Sequence, residues 1–290
     1  MNRDTYDHVC SGGSAYFEQS RGLTAVWGKE AVKFLDGMMT GDMKTLDDGN
    51  AMLAAFPNAQ GRLLALVRVM RQGDRFLIET EESTREKLFQ NLFRFTYAGD
   101  FFVEDLSSQY RYADIFGRYD TAGNSITLNV SPLPAGSFIP AGSARRGGNA
   151  IELDAETYET LRIESSVPIY GIDMDESTVV PELGLDGLIS YNKGCYIGQE
   201  IIARIYFRGH IAKRLSGLLL SGNVDAGTEL TTAEGKAAGR ITSVTFSPKL
   251  GKAIALGYVR YDFLASGTEL KAADASAVVT ELPFVRLPAF

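Results

Sequence analysis

The run Asn192–Lys193–Gly194–Cys195–Tyr196–Ile197–Gly198–Gln199–Glu200 gathers more chemically capable side chains than any other stretch of this 290-residue chain. It holds one of the chain's two cysteines, with a lysine just before it and an amide–carboxylate pair just after it. Gly194 and Gly198 allow a tight bend or a close backbone approach. The spacing lets Lys193 favour the Cys195 thiolate by Coulomb attraction, and the thiolate is the form that attacks and ligates. The residues alone leave two readings open. One is a reactive or ligating thiol on a glycine-flanked turn. The other is a small cysteine buried in a tight loop, since free cysteine packs as a small apolar residue.

A second dense stretch is Leu161–Arg162–Ile163–Glu164, followed by Ile169–Tyr170–Gly171–Ile172–Asp173 and by Pro181–Glu182. Taken alone, Arg162 reads as an ion-pair partner that fixes a helix end. Glu182 can serve a site or cap a turn. Beyond the cysteine motif, Arg204, Arg208, His210, Lys213 and Arg214 concentrate positive charge, with Tyr206 and Phe207 between them. Such a strip suits a polyglutamate tail, an RNA backbone or an acidic partner surface, or it is a solvated strip at a domain boundary.

These residues need elements to hold them. Residues 1–20 are polar and glycine-rich around Ser11–Ser14, and read as irregular. Leu23–Trp27 reads as a strand and Gly28–Leu35 as a helix. Ala51–Phe56, Leu63–Met70 and Phe76–Thr80 read as strands, the second apolar enough to be buried on both faces. Gln72–Gly73–Asp74 closes a hairpin. Glu81–Arg94 has helical periodicity, with Leu88, Leu92, Phe93 and Phe95 towards a core. Phe101–Leu106 is a further strand. Residues 117–150 read as a loop-rich excursion with short strands near Ile126–Val130 and Phe138–Pro140. Glu152–Glu164 reads as a helix. From Leu215 onward six short strands separated by turn residues indicate a small barrel or sandwich. The alternation of strands and helices before them indicates an α+β class.

Composition bounds the function. The chain carries a net charge of −7, which argues against broad nucleic-acid binding. No apolar run approaches the ~20 residues of a membrane span. The N-terminus lacks the apolar core of a signal peptide, so the expectation is a cytoplasmic protein that does not engage membranes. Cys10 and Cys195 cannot supply the four thiolates of an ordinary iron–sulfur cluster. His8 and His210 are the only histidines, so no zinc-type spacing exists and no metal site within the chain is expected.

The motif Lys193–Gly194–Cys195–Tyr196–Ile197–Gly198–Gln199–Glu200, followed by Ala203 and Arg204, resembles the signature of the YgfZ-type folate-binding proteins. These are relatives of the glycine cleavage T-protein aminomethyltransferase, associated with iron–sulfur cluster assembly or repair. The resemblance extends from about Gly22 to the C-terminus. It implies a T-protein-like fold, α+β, with subdomains ringed around a central cavity over residues 1–208 and a small β-barrel over 209–290. It implies tetrahydrofolate as the bound cofactor. A pterin presents adjacent N–H and NH₂ donors that one carboxylate can accept together, and Glu164 occupies the position that pairs with the pterin. Arg162, Tyr170, Tyr196 and Gln199 accompany it as candidate folate contacts. Cys195 is then the functional thiol, with Lys193 beside it. The expected partners are iron–sulfur proteins or assembly factors, including those of tRNA modification, met by a monomer. Aminomethyltransferases need an acid on the strand after the glycine turn. The matching positions here are Leu64 and Ala65, which argues against glycine-cleavage chemistry. Two other readings stand beside this one: a folate-dependent one-carbon transferase, and a scaffold with a vestigial folate pocket.

Overall fold

The computed structural model describes residues 1–117, 125–143 and 150–287. The N-terminus differs from the expectation of an irregular segment. A helix, α1 (Arg3–Cys10), forms because Asn2 caps it, accepting from the Thr5 amide, and because Tyr6 and Val9 fall on one buried face. β1 (Ala15–Gln19) and β2 (Arg21–Trp27) follow, then α2 (Ala31–Met38). β3 (Ala51–Pro57), β4 (Leu63–Gln72) and β5 (Arg75–Glu81) form an antiparallel meander. α3 (Glu82–Phe93) and β6 (Phe102–Asp105) complete the first unit, whose sheet runs β3-β4-β5-β2-β6. In α3 the residues facing inward are Leu88 and Leu92, whereas Phe93 lies on the outer face. The helical period turns Phe93 one residue beyond the apolar stripe.

β7 (Tyr110–Phe116), which the sequence reading passed over, is the central strand of a second sheet. That sheet adds β8 (Ile126–Leu128), β9 (Ala135–Pro140) and β10 (Ile151–Glu152) to β1, in the order β10-β1-β7-β9-β8. Of the excursion read over 117–150, residues 118–124 and 144–149 lie outside the described part. α4 (Ala155–Glu164) is capped by Asp154, which accepts from the Thr157 amide. α5 (Gln199–Arg208) continues the cysteine motif as a helix.

Beyond α5 the chain closes a barrel from β11 (Lys213–Leu220), β12 (Glu229–Thr231), β13 (Ala237–Ser247), β14 (Lys252–Arg260), β15 (Glu269–Ala272) and β16 (Ala275–Thr280). Closure removes every strand edge, and alternate residues such as Leu218, Leu220, Val259 and Val279 fill the interior.

The two open sheets are tied by charge as well as by apolar contact. Arg68 on β4 is fully buried and bonds Glu79 on β5 at 2.7 Å, the Pro134 carbonyl at 2.7 Å and the Tyr112 hydroxyl. Tyr112 in turn donates to Asp114, which also accepts from Tyr158 at 2.7 Å. Arg21 on β2 closes the network on the other oxygen of Glu79 at 3.2 Å. Burying these charges is tolerable only because each is paired. Among the described residues, no helix is long and apolar enough to cross a membrane.

Candidate functional site

The cysteine motif is clamped from beneath and open above. Lys193 is buried and points away from solvent. Its ammonium pairs with Asp36 at 3.0 Å and donates to the carbonyls of Asp36 at 2.6 Å, Met39 at 3.0 Å and Gly41 at 2.5 Å. These are the orphan carbonyls at and just past the C-terminal end of α2, where a cation is favoured by both hydrogen bonding and the helix dipole. Lys193 also lies 5.2 Å from the centre of the Tyr196 ring. Burial pulls its pKa below the ordinary lysine value, against the pull of Asp36. The sequence places Lys193 beside the thiol; the structure instead commits its ammonium to Asp36 and to the Asp36, Met39 and Gly41 carbonyls at and beyond the end of α2.

Two further contacts fix the same loop. The Ile197 amide donates to the Gly37 carbonyl at 3.0 Å, and Ser190 donates to Thr40 at 2.9 Å. Gly198 has φ +81°, and a Cβ there would fall 2.4 Å from the Asn58 carbonyl oxygen. The motif therefore sits directly on the β3–β4 turn, and only glycine permits the approach. Tyr196 is buried with Leu53, Leu63, Leu66 and Ile202. Gln199 starts α5 and reaches back to the Gly194 carbonyl at 3.4 Å. Cys195 itself is exposed. The reading of a buried small cysteine is thus overturned, because Lys193 and Tyr196, which flank the exposed Gly194–Cys195 pair, are the ones that turn inward.

Glu164 and Arg162 lie on opposite sides of α4. The Glu164 carboxylate is fully buried against α1 and the barrel. The Tyr6 hydroxyl lies 2.8 Å from both its oxygens, and Ser247 at the end of β13 donates to one of them. Burial raises its pKa, with the Ser247 and Tyr6 hydrogen bonds opposing. Arg162 bonds Asp173 at 2.6 Å, Ser243 at 2.8 Å, the Val167 carbonyl at 3.2 Å, and Glu159. This is the helix-end ion pair that the residues alone suggested, and Asp173 is its acid. The Tyr170 amide donates to the Glu81 carboxylate at 3.0 and 3.1 Å, while its ring joins the cluster around Leu66 and Met174. Glu182 caps a local turn, accepting from the Val179 amide at 3.3 Å.

A cavity of about 1050 Å³ lies between the loops of the second sheet, the end of α4 and the barrel. Its wall includes Leu133, Arg162, Ser166, Leu185, Arg214 and Arg286. Of the seven residues that the motif resemblance marks as folate contacts or as the thiol and its lysine, only Arg162 lines it. Glu164 faces α1 instead, Tyr170 faces Glu81, and Lys193, Cys195, Tyr196 and Gln199 cluster on α2 and the β3–β4 turn. Sequence reasoning missed Asp36, the anion beneath the motif, and Tyr6, the partner of Glu164. Neither is near its partner in the chain, and neither stands in a motif of its own. Among the described residues, no group of three or more His, Cys, Asp or Glu is placed to hold a metal ion.

The basic strip gathers at the far end of α5. Tyr206 stacks on Tyr191 with ring centres 3.7 Å apart, and Phe207 meets Tyr206 edge-on at 4.8 Å. His210 stacks on Tyr261 at 4.1 Å, and Arg204 pairs with Glu200 at 2.7 Å. Lys213 and Arg214 belong instead to the start of β11, with Arg214 on the cavity wall.

Residues 213–286 match the family described as the glycine cleavage T-protein C-terminal barrel domain. The C-terminal barrel is thus similar to that of the T-proteins. The fold of the whole chain agrees. It superposes on the crystal structure of the glycine cleavage system aminomethyltransferase T from Bartonella henselae with a TM-score of 0.88, covering 99% of this chain and 90% of that one at 19% identity. The T-protein fold expected from the motif is therefore present, α+β with a six-stranded barrel. A Thermosynechococcus vestitus aminomethyltransferase is 42% identical over 135 residues, which is 45% of this chain and 37% of that protein. The protein named iron-sulfur cluster assembly factor IBA57 homolog, mitochondrial, from Mycosarcoma maydis is 28% identical over 67% of this chain and 54% of its own length. Both matches span less than two thirds of the relative's length.

Proposed function

We propose that this chain is a tetrahydrofolate-binding accessory protein that supports assembly or repair of iron–sulfur enzymes, with Cys195 as its functional thiol. One observation carries the reading. Cys195 is exposed on a loop whose every neighbouring anchor is buried: Lys193, Tyr196 and Ile202, with Gly198 against the β3–β4 turn. Such a scaffold holds a thiol at the surface in a fixed position, as transfer to or sharing with a second protein requires. The name borne by the Mycosarcoma relative supports the iron–sulfur assignment.

The residues present fit a reduced folate. The cavity has the volume of a small-molecule site and a wall that mixes apolar side chains with polar and charged ones. Arg214 and Arg286 supply cations for the ligand's carboxylates. When bound, tetrahydrofolate would supply a one-carbon carrier. Arg162, held by Asp173 and Glu159, would shape the wall instead of donating freely, because its guanidinium is already committed. Glu164 would stand behind the wall. The protein would act as a monomer, meeting iron–sulfur enzymes or assembly factors through the Cys195 face.

Several relatives are named aminomethyltransferase, but the strand chemistry argues against that activity here. Leu64 and Ala65 pack in the core beside Val67 and Phe56, and neither can steer a proton. Calorimetric titration with tetrahydrofolate and its 5-formyl and 5,10-methylene forms tests the folate assignment. Saturable binding of at least one reduced form is expected, and heat of dilution alone for all three would overturn it.

A further inference from the structure

The C-terminal end of α4 is built in a way that its packing does not explain. The helix closes with two reverse hydrogen bonds, Val167 N–H to the Arg162 carbonyl at 2.8 Å and Ser166 N–H to the Ile163 carbonyl at 3.0 Å. This pairing places the residue after the cap in the left-handed region, where glycine is the usual occupant. Here it is Ser166, at φ +65°. A serine there carries the Cβ strain that glycine avoids.

The hydroxyl that accompanies this strain has no internal use. Ser166 is only 6% exposed, and it lines the cavity. Its Oγ, like that of Ser165 beside it, is buried without a hydrogen-bond partner among the described residues. A buried hydroxyl left unpaired is unfavourable, and so is the backbone conformation that puts it there. Two costs at one residue, both removed by glycine, indicate a ligand that makes use of the hydroxyl.

The surrounding wall identifies the ligand's class. Leu133, Val167, Leu185 and Leu215 give the wall an apolar part, and Ser165 and Ser166 line it at the end of α4. Arg214 and Arg286 stand for anionic groups elsewhere on the same molecule. We propose that Ser166, assisted by Ser165, is a ligand-contacting residue of this cavity, hydrogen-bonding the polar edge of a planar heterocycle that also carries carboxylates. This rests on the folate reading, in which that edge belongs to the pterin and the carboxylates to the glutamate tail. Serine hydroxyls both donate and accept, so they can satisfy either member of a mixed donor–acceptor edge.

The test separates stability from binding. Ser166→Gly relieves the backbone, so its Tm should rise by about 2 °C. It removes the hydroxyl, so its affinity for 5-formyltetrahydrofolate should fall about tenfold. Ser166→Ala keeps the left-handed strain but also removes the unpaired hydroxyl, so it should lose the same affinity with a smaller gain in Tm than Ser166→Gly. Ala273→Gly is the control, since Ala273 is the other described non-glycine residue with positive φ, at +52°, in the β15–β16 turn. It should be stabilised with binding unchanged. If Ser166→Gly binds as tightly as wild type, or if it is destabilised, the serine is structural and the proposal falls while the folate reading stands. If wild type binds no reduced folate, the folate reading falls, and the ligand class named here falls with it.

Discussion

At the scale of single residues, position in the motif and role in the structure part company. Lys193 and Cys195 are two residues apart, yet one is buried and the other exposed. The sequence suggested an ammonium beside a thiol because spacing was the only geometry available. The carbonyls of Asp36, Met39 and Gly41 are remote in the chain and carry no signature, so their claim on Lys193 was invisible. Lys193→Met should therefore act as a stability lesion. It leaves Asp36 without its buried partner and three carbonyls with one donor fewer, and about 3 kcal/mol is expected. Urea denaturation measures it, and an unchanged midpoint would restore Lys193 to the thiol. Glu164 makes a second case. Its folded pKa is raised, chiefly by burial. A carboxyl of that kind favours folding below its unfolded pKa and loses that contribution as pH rises through the folded value. Glu164→Gln removes the charge, so at pH 7 the variant should be more stable than wild type. The advantage should shrink as pH falls towards 4. Because Glu164 faces Tyr6 and not the cavity, folate affinity should change little. A loss of binding comparable to that of Ser166→Ala would put the carboxylate on the ligand after all.

At the scale of elements, local pattern was a good guide where periodicity and turn chemistry agreed. The β3–β4–β5 meander, α3, α4 and the six barrel strands follow from apolar spacing and from the glycines and polar residues between them. α1 escaped notice because its apolar face is only Tyr6 and Val9, and its partners lie on α4 and the second sheet. β7 escaped because its pairing partners, β1 and β9, are distant in sequence. The glycines of the cysteine motif were legible as a turn, but what the turn rests on was not. Gly198→Ala should destabilise by about 3 kcal/mol, since it combines a positive φ with a Cβ inside the Asn58 carbonyl. The damage should be local at first. Hydrogen exchange over residues 190–205 should quicken more than exchange in the barrel. Uniform quickening would show that the motif is coupled to the whole fold.

At the scale of the molecule, the second sheet, the end of α4 and the barrel border a cavity, and a charged network joins the two sheets. Arg68 belongs to the first sheet and bonds Tyr112 and the Pro134 carbonyl of the second. Arg68→Ala should cost about 3–5 kcal/mol, because Glu79 then loses its closest buried counter-charge. The overall fold was legible through the resemblance of one short motif, but the arrangement of the site was not. The motif names residues without saying which face each one takes. The candidate residues separate into a surface thiol on the β3–β4 side and a cavity on the α4–barrel side. That separation is what an accessory protein with a bound folate and a presented thiol requires. It also predicts no methylene-tetrahydrofolate formation with the other glycine cleavage components, measurable by its absorbance-coupled assay.

The most direct test of this account is the activity of an iron–sulfur enzyme in cells lacking the protein, restored with wild type or with Cys195→Ser. The thiol is exposed and no core contact depends on it, so the variant should fold and bind 5-formyltetrahydrofolate as wild type does. The account predicts that wild type restores the enzyme and Cys195→Ser does not. Full restoration by Cys195→Ser at equal expression would contradict it, leaving the motif as a structural loop and the chain as a scaffold.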